Sequence, residues 1–206
     1  MKVIVLGGGG HAKTVIGALI ESGSQVLGFL DDNLLITAVL DKPRLGHLTT
    51  VESYLETNYL ALGLGQVGNT ALRRKVVEMY KGRGFVFEVV IAPLSYISKF
   101  SRIGEGGVVA AGAIIQPGTL IGDFSIINTG AKVDHDCLIG GHTHIAPGVT
   151  ISGDVTIGDD CLIGVGSTIM QGISIVDNCI IGAGSVVIKS ITEPGTYIGV
   201  PAKKIK

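Results

Sequence analysis

Two stretches of the 206-residue chain carry residue types that could do chemistry. In Asp134-His135-Asp136 an imidazole stands between carboxylates. Imidazole titrates near neutrality and can take a proton from an attacking nucleophile. A carboxylate beside it fixes the tautomer and stabilises the imidazolium. His144 follows nine residues later in His144-Ile145-Ala146-Pro147-Gly148, with His142 just before it, while His47 reads as a solvated loop residue. The alternative for His135 is a solvated corner histidine without a chemical role. In the second stretch, Gly7-Gly8-Gly9-Gly10-His11-Ala12 follows an apolar strand and opens an amphipathic helix. Such a turn offers backbone N–H groups and a helix dipole to a phosphate. Asp31-Asp32, about twenty residues on, can hydrogen-bond a ribose or base edge. The match to the dinucleotide fingerprint is loose, and glycines that merely permit a tight turn are the plain alternative.

The elements that must position these residues fall into two parts. Strands are expected at residues 2–6, Gln25 to Leu30, Tyr59 to Leu64 and Phe85 to Ile91, with helices after the glycine turn and over Thr70–Lys81, the latter N-capped by Asn69. This is a small Rossmann-like βαβ unit, residues 1–92. The α/β pattern stops there without a second mononucleotide half, so one nucleoside diphosphate fits it better than NAD. From Ile97 to Val187 every sixth residue is Ile or Val, sixteen in all and without an insertion. The position four residues after each is mostly small, as in Ala113, Thr119, Ser125, Ala131, Thr143 and Ser167. Stacked β-branched side chains at such a period fill the interior of a solenoid. Cys137, Cys161 and Cys179 fall on the same small inward position and read as reduced core thiols.

This repeat resembles the hexapeptide-repeat acyltransferases, which implies short parallel strands wound into a left-handed parallel β-helix over residues 93–206, in about five coils. The His135-Asp136-Cys137 and His144-Ile145-Ala146-Pro147-Gly148 motifs narrow the resemblance. With the glycine turn, Asp31-Asp32 and the tail Gly199-Val200-Pro201-Ala202, they look like the sialic-acid O-acetyltransferase and nucleotide-sugar 4-amino N-acetyltransferase family. The resemblance implies His135 as general base, with Asp136 making it more basic; some relatives carry Glu there, one methylene longer. It implies that His144, Val165 and Ala183 meet acetyl-CoA as co-substrate, the last two by repeat register alone. It implies that Gly9, Gly10, His11, Gly65 and Asn128 hold the substrate and that Asp31 and Asp32 grip its nucleotide. No metal is expected.

His135 and His144 are half an 18-residue coil apart, so they point from different sides of one prism. At about 3.3 Å per residue along a six-residue side, they lie well over 10 Å apart within a chain. They could meet only across an interface, which makes a homotrimer with sites between subunits the expectation, as the family also implies. The expected activity is acetyl-CoA-dependent N-acetylation of a nucleotide-linked amino-deoxy sugar at its 4-amino group, for a bacterial surface glycan. O-acetylation of a sialic-acid-like sugar is the runner-up, and a non-catalytic sugar-nucleotide-binding homologue is the reading from another class. A three-histidine metal hydratase on the same fold does not fit the spacing of His135, His142 and His144. A formal net charge of -1 gives no basic surface for nucleic acid or anionic membrane. No apolar run approaches a membrane span and the opening residues lack a signal-peptide pattern, so a reducing cytoplasm is expected.

Overall fold

The structure, a computed structural model, describes residues 1–50, 59–66, 68 and 70–206. The expected N-cap at Asn69 lies outside the described residues. The N-terminal unit runs β1 (Lys2–Leu6), α1 (Gly10–Glu21), β2 (Gln25–Leu30), β3 (Ala38–Val39), β4 (Lys42–Gly46), β5 (Tyr59–Leu62), α2 (Ala71–Lys81) and β6 (Val86–Phe87). Its sheet has the order β3-β4-β2-β1-β5-β6, parallel except for the β3–β4 hairpin. β1 is central and covered on both faces, which is why it reads as an unbroken apolar run. Val3 and Val5 pack with Val15, Ile16 and Leu19 of α1, and Ile4 and Leu6 with Val76, Val77 and Tyr80 of α2.

Two expected strands are shorter than their apolar runs suggested. β5 stops at Leu62, where the chain bends through Gly63 and Gly65. The run from Phe85 to Ile91 divides: Val86–Phe87 closes the first sheet, and β7 (Val90–Ile91) is already the first rung of the solenoid. The division follows from hydrogen bonding, since Glu88 N–H donates to Leu60 O (2.8 Å) and Val90 N–H to Gly107 O (2.9 Å). The solenoid therefore starts just before the boundary expected at residues 92 and 93, and Ile91 extends the six-residue series by one position.

Beyond β7 the chain is a parallel β-helix of two-residue rungs, each paired with the rung 18 residues away, as Ile126↔His144 and Ile127↔Ile145. Two faces hold six rungs and the third five. From Val109 onward the inward Ile and Val of the rungs form one continuous core with the three cysteines, with Ile97 and Ile103 packed against it. The small inward residues also close the corners through their side chains. Thr119, Ser125, Thr143 and Ser167 each donate a hydroxyl to the carbonyl fifteen residues ahead, at 2.7 to 2.9 Å, and Cys137 and Cys161 do the same with thiols. Burial pushes the Cys161 thiol up to about 12, which leaves it an inert packing group. The chain turns at a left-handed position that recurs every six residues. Gly112, Gly130 and Gly148 hold it in some coils, while Phe124, Asp136, His142 and Asp160 hold it with φ between 52° and 58° in others. Short polar side chains tolerate that conformation best. Gly195–Ile198 then pairs on Cys179–Ile181 and folds back against Lys203–Lys204, closing the end.

The two parts share their cores. Val90, Ala92, Val108 and Ile126 join the α1 side of the N-terminal core, and Phe124 joins the α2 side. The N-terminal unit thus sits directly against the face of the β-helix that carries Ile126 and His144.

Candidate active site

The cleft between the two parts has a volume of about 590 Å³ and is lined by Gly9, Gly10, His11, Thr14, Asp31, Gly63, Leu64, Gly65, Gln66, Asn128 and His144. Seven of the residues expected to bind substrate or co-substrate therefore come together. The glycine turn reaches the cleft because Gly8 N–H donates to Asp31 Oδ2 (2.6 Å), tying the end of β2 to the start of α1. No larger residue fits at Gly8, where a Cβ would come within 2.4 Å of the Phe29 ring. At Gly9 and Gly10 a Cβ would meet nothing within 4 Å, so the space above the α1 N-terminus is open to a ligand. Asp31 spends its other oxygen on Asn33 N–H (2.7 Å), and so shapes the turn as well as lining the cleft. Asp32 is not in the lining; it accepts from Leu48 N–H (3.0 Å) and faces His47 (3.4 Å).

His144 has a defined tautomer. Its Nδ1 lies 2.9 Å from Gln66 O, which can only accept, so Nδ1 carries the proton. Nε2 then accepts from the Asn128 amide at 3.0 Å, and Asn128 is oriented by Thr129 N–H donating to its Oδ1 (2.7 Å). Burial lowers the His144 pKa, the Gln66 hydrogen bond opposes that, and Arg73 lowers it further. His11 is pushed down to about 3 by burial, then by Arg73 and by His144. Both imidazoles in the cleft are neutral at physiological pH.

His135 and Asp136 stand on another edge of the prism, at the corner after the Lys132–Val133 rung. His135 Nδ1–H donates to Asp136 Oδ2 at 2.8 Å, which leaves Nε2 with a free lone pair. The pair is open to solvent, with side chains 59% and 68% exposed. The ring lies over Gly153, where a Cβ would come within 2.5 Å of it. The hydrogen bond to Asp136 raises the imidazole pKa, and the charges of Asp134, Asp136 and Asp154 add to it. This is an imidazole held in one tautomer, and it is not among the residues that line the cleft. Val165 and Ala183 lie exposed on the edge that continues from Asn128 and Thr129, two and three coils along, and are not part of the cleft.

Gln66 and Arg73 escaped the reading of the sequence. Gln66 had a signal in the Gly63-Leu64-Gly65 turn before it. Arg73 had one in its spacing, since it shares the i, i+3, i+4, i+7 stripe with Val76, Val77 and Tyr80. Among the described residues no three His, Cys, Asp or Glu side chains converge as a metal ligand set, and no helix is long and apolar enough to cross a membrane.

Comparison with known proteins finds two family matches on the chain. Residues 2–80 match the PglD N-terminal domain family, and residues 154–189 match the hexapeptide repeat of succinyl-transferase. A search of curated proteins found no match. Among solved structures, PerB from Caulobacter crescentus in complex with CoA and GDP-perosamine is 36% identical, with a TM-score of 0.92 over 100% of this chain and 98% of that one. The acetyltransferase domain of PglB from Neisseria gonorrhoeae FA1090 is 34% identical, with a TM-score of 0.91 over 99% of both chains. WeeI from Acinetobacter baumannii AYE is 26% identical over 100% of both, with a TM-score of 0.82. With identity above a third along its whole length, the chain belongs to the hexapeptide-repeat sugar acetyltransferases, the family of the sialic-acid O-acetyltransferases and nucleotide-sugar N-acetyltransferases, and it is an acetyl-CoA-dependent acetyltransferase with a left-handed parallel β-helix.

Proposed function

We propose that this enzyme transfers the acetyl group of acetyl-CoA to the 4-amino group of a nucleotide-linked amino-deoxy sugar, for a bacterial surface glycan. The observation that carries the proposal is the cleft itself. It joins a phosphate-ready helix N-terminus and Asp31 to Asn128 and His144 on the β-helix, so a nucleotide held at Gly9, Gly10 and His11 presents its sugar to the acyl-transfer face. The GDP-perosamine complex of the 36%-identical relative supports the same substrate class.

In the reaction the amine nitrogen attacks the thioester carbonyl carbon, and the C–O π pair moves onto oxygen. His135 Nε2 takes the proton from that nitrogen, and Asp136 stabilises the imidazolium. The oxyanion is met by a backbone N–H of the coil. Collapse expels the CoA thiolate, which the imidazolium proton neutralises. Among the described residues no activated serine or cysteine is placed to form an acyl-enzyme, so transfer is direct. Because His135 and the cleft occupy different edges of one prism, the working unit is a homotrimer in which His135 of one protomer serves the cleft of its neighbour, with acetyl-CoA held along the His144, Val165 and Ala183 edge.

The test is thiol release from acetyl-CoA against UDP-, dTDP- and GDP-linked 4-amino sugars and free sialic acid, with His135→Ala as control. Turnover of one nucleotide-linked 4-amino sugar, lost in the variant, is expected. Turnover of sialic acid alone would replace N-acetylation by O-acetylation and leave the glycine turn without a ligand.

A further inference from the structure

Arg73 occupies a core position of α2 yet is charged. Its side chain is only 2% exposed, and among the described residues no carboxylate pairs with it. Nη1 donates to Leu64 O and Nη2 to Phe124 O (2.7 Å), while Nε is buried without a partner. A buried, unpaired guanidinium is among the costliest groups a core can hold, so an apolar residue would serve packing better. Its two acceptors explain its placement. Leu64 belongs to the wall of the cleft, and Phe124 stands four residues before Asn128 on the β-helix.

We propose that Arg73 is a positioning residue for acetyl transfer, pinning the Gly63–Gln66 wall of the substrate cleft to the β-helix coil that presents Asn128 and His144. The proposal rests on the acetyltransferase reading above. The wall has two further tethers: Gln66 Nε2 donates to Cys161 O (3.3 Å), and Gln66 O accepts from His144 Nδ1 (2.9 Å). Among the described residues, only Arg73 spans from N-terminal wall to β-helix with one rigid planar fork, a geometry that lysine does not reproduce. Its cation also lies near both cleft imidazoles. His11 and His144 face Arg73 from α2, one another, the Gln66 carbonyl and the Asn128 amide, with Asp31 lining the same cleft. Burial is the main reason both imidazoles stay neutral, and the Arg73 charge adds to it, so an amine acceptor enters beside hydrogen-bonding groups and not beside competing cations.

The test uses full-length Arg73→Met and Arg73→Lys, with activity normalised to the folded fraction by CoA-binding stoichiometry. Displacing a bound reactant by about 1 Å costs on the order of 10²-fold in rate. Arg73→Met is therefore expected to lose roughly that much in kcat with the KM for acetyl-CoA unchanged, and Arg73→Lys to recover only part of it. Imidazole NMR titration gives an independent readout: His11 and His144 titrate at higher pH in Arg73→Met than in the wild type. Unchanged kcat, or unchanged imidazole titration, overturns the proposal. If Arg73→Met does not fold, Arg73→Lys decides it, since full kcat there removes the need for the fork. If the wild type acetylates no nucleotide sugar, the proposed function fails, while the titration still decides what Arg73 does to the cleft.

Discussion

The proposed division of the site between protomers leads to a quantitative complementation experiment. His135→Ala removes the proposed base and leaves the cleft intact. Gly10→Glu does the reverse, because a side chain at Gly10 has open space around it and places a carboxylate where a phosphate would lie. The added carboxylate is also compatible with the first turn of α1, so the fold survives. Each variant alone forms homotrimers expected to lose about 10²- to 10⁴-fold in turnover, the range for a lost general base, or substrate binding in the case of Gly10→Glu. In trimers assembled at random from equal amounts of both, every site takes its base from one protomer and its cleft from the next. A site works only when the base comes from a Gly10→Glu chain and the cleft from a His135→Ala chain. Each condition holds for half the chains, so about one quarter of wild-type activity returns under cyclic symmetry. The assay is thiol release by co-expressed, doubly tagged trimers, with the parent homotrimers as controls. Recovery to about 25% supports a shared site. Activity no higher than the parents' would refute the reasoning, since it would mean that base and cleft of the same chain work together.

Two further outcomes follow from the electrostatics. Asp136→Asn preserves a side chain that tolerates the left-handed backbone at that corner, where φ is 58°. It removes the largest cause of the raised His135 pKa, so the acid limb of kcat/KM moves to lower pH while the plateau falls by roughly 10- to 100-fold, within the range of general-base effects; a limb that stays in place would exclude His135 as the titrating base. Buried neutral histidines make stability depend on acid. Folding holds His142 at about 4 and His11 at about 3, both by burial first, against about 6.5 in the unfolded chain. Below pH 6.5 the unfolded chain binds protons that the native state refuses, so stability declines as pH falls from 6.5 toward 4 by about 1.4 kcal/mol per pH unit for each histidine. Urea midpoints measured at pH 7 and pH 5 check this, and His142→Gln is expected to flatten the slope.

The sequence by itself determined the solenoid. A strict six-residue series from Ile97 to Val187 stacks its β-branched side chains in one repeating interior, and the resemblance to the hexapeptide-repeat proteins supplied the three-sided coil. It also marked the glycine turn, the His135-Asp136 pair and the edge on which His144 lies, since these depend on local spacing and on residue type. Tertiary structure decided what those residues do for one another. Asp31 and Asp32 are identical neighbours in sequence, yet one lines the cleft while capping the Gly8 turn and the other faces His47. The tautomer of His144 is set by Gln66, 78 positions away in the chain. The helical stripe of α2 marks Arg73 as inward-facing, but the β-helix carbonyl that receives its guanidinium, Phe124 O, leaves no trace in that periodicity. Periodicity records how each element meets its own core, repeated along the chain. Hydrogen bonds between elements are made once, between residues far apart in sequence, and leave no repeating signal to read.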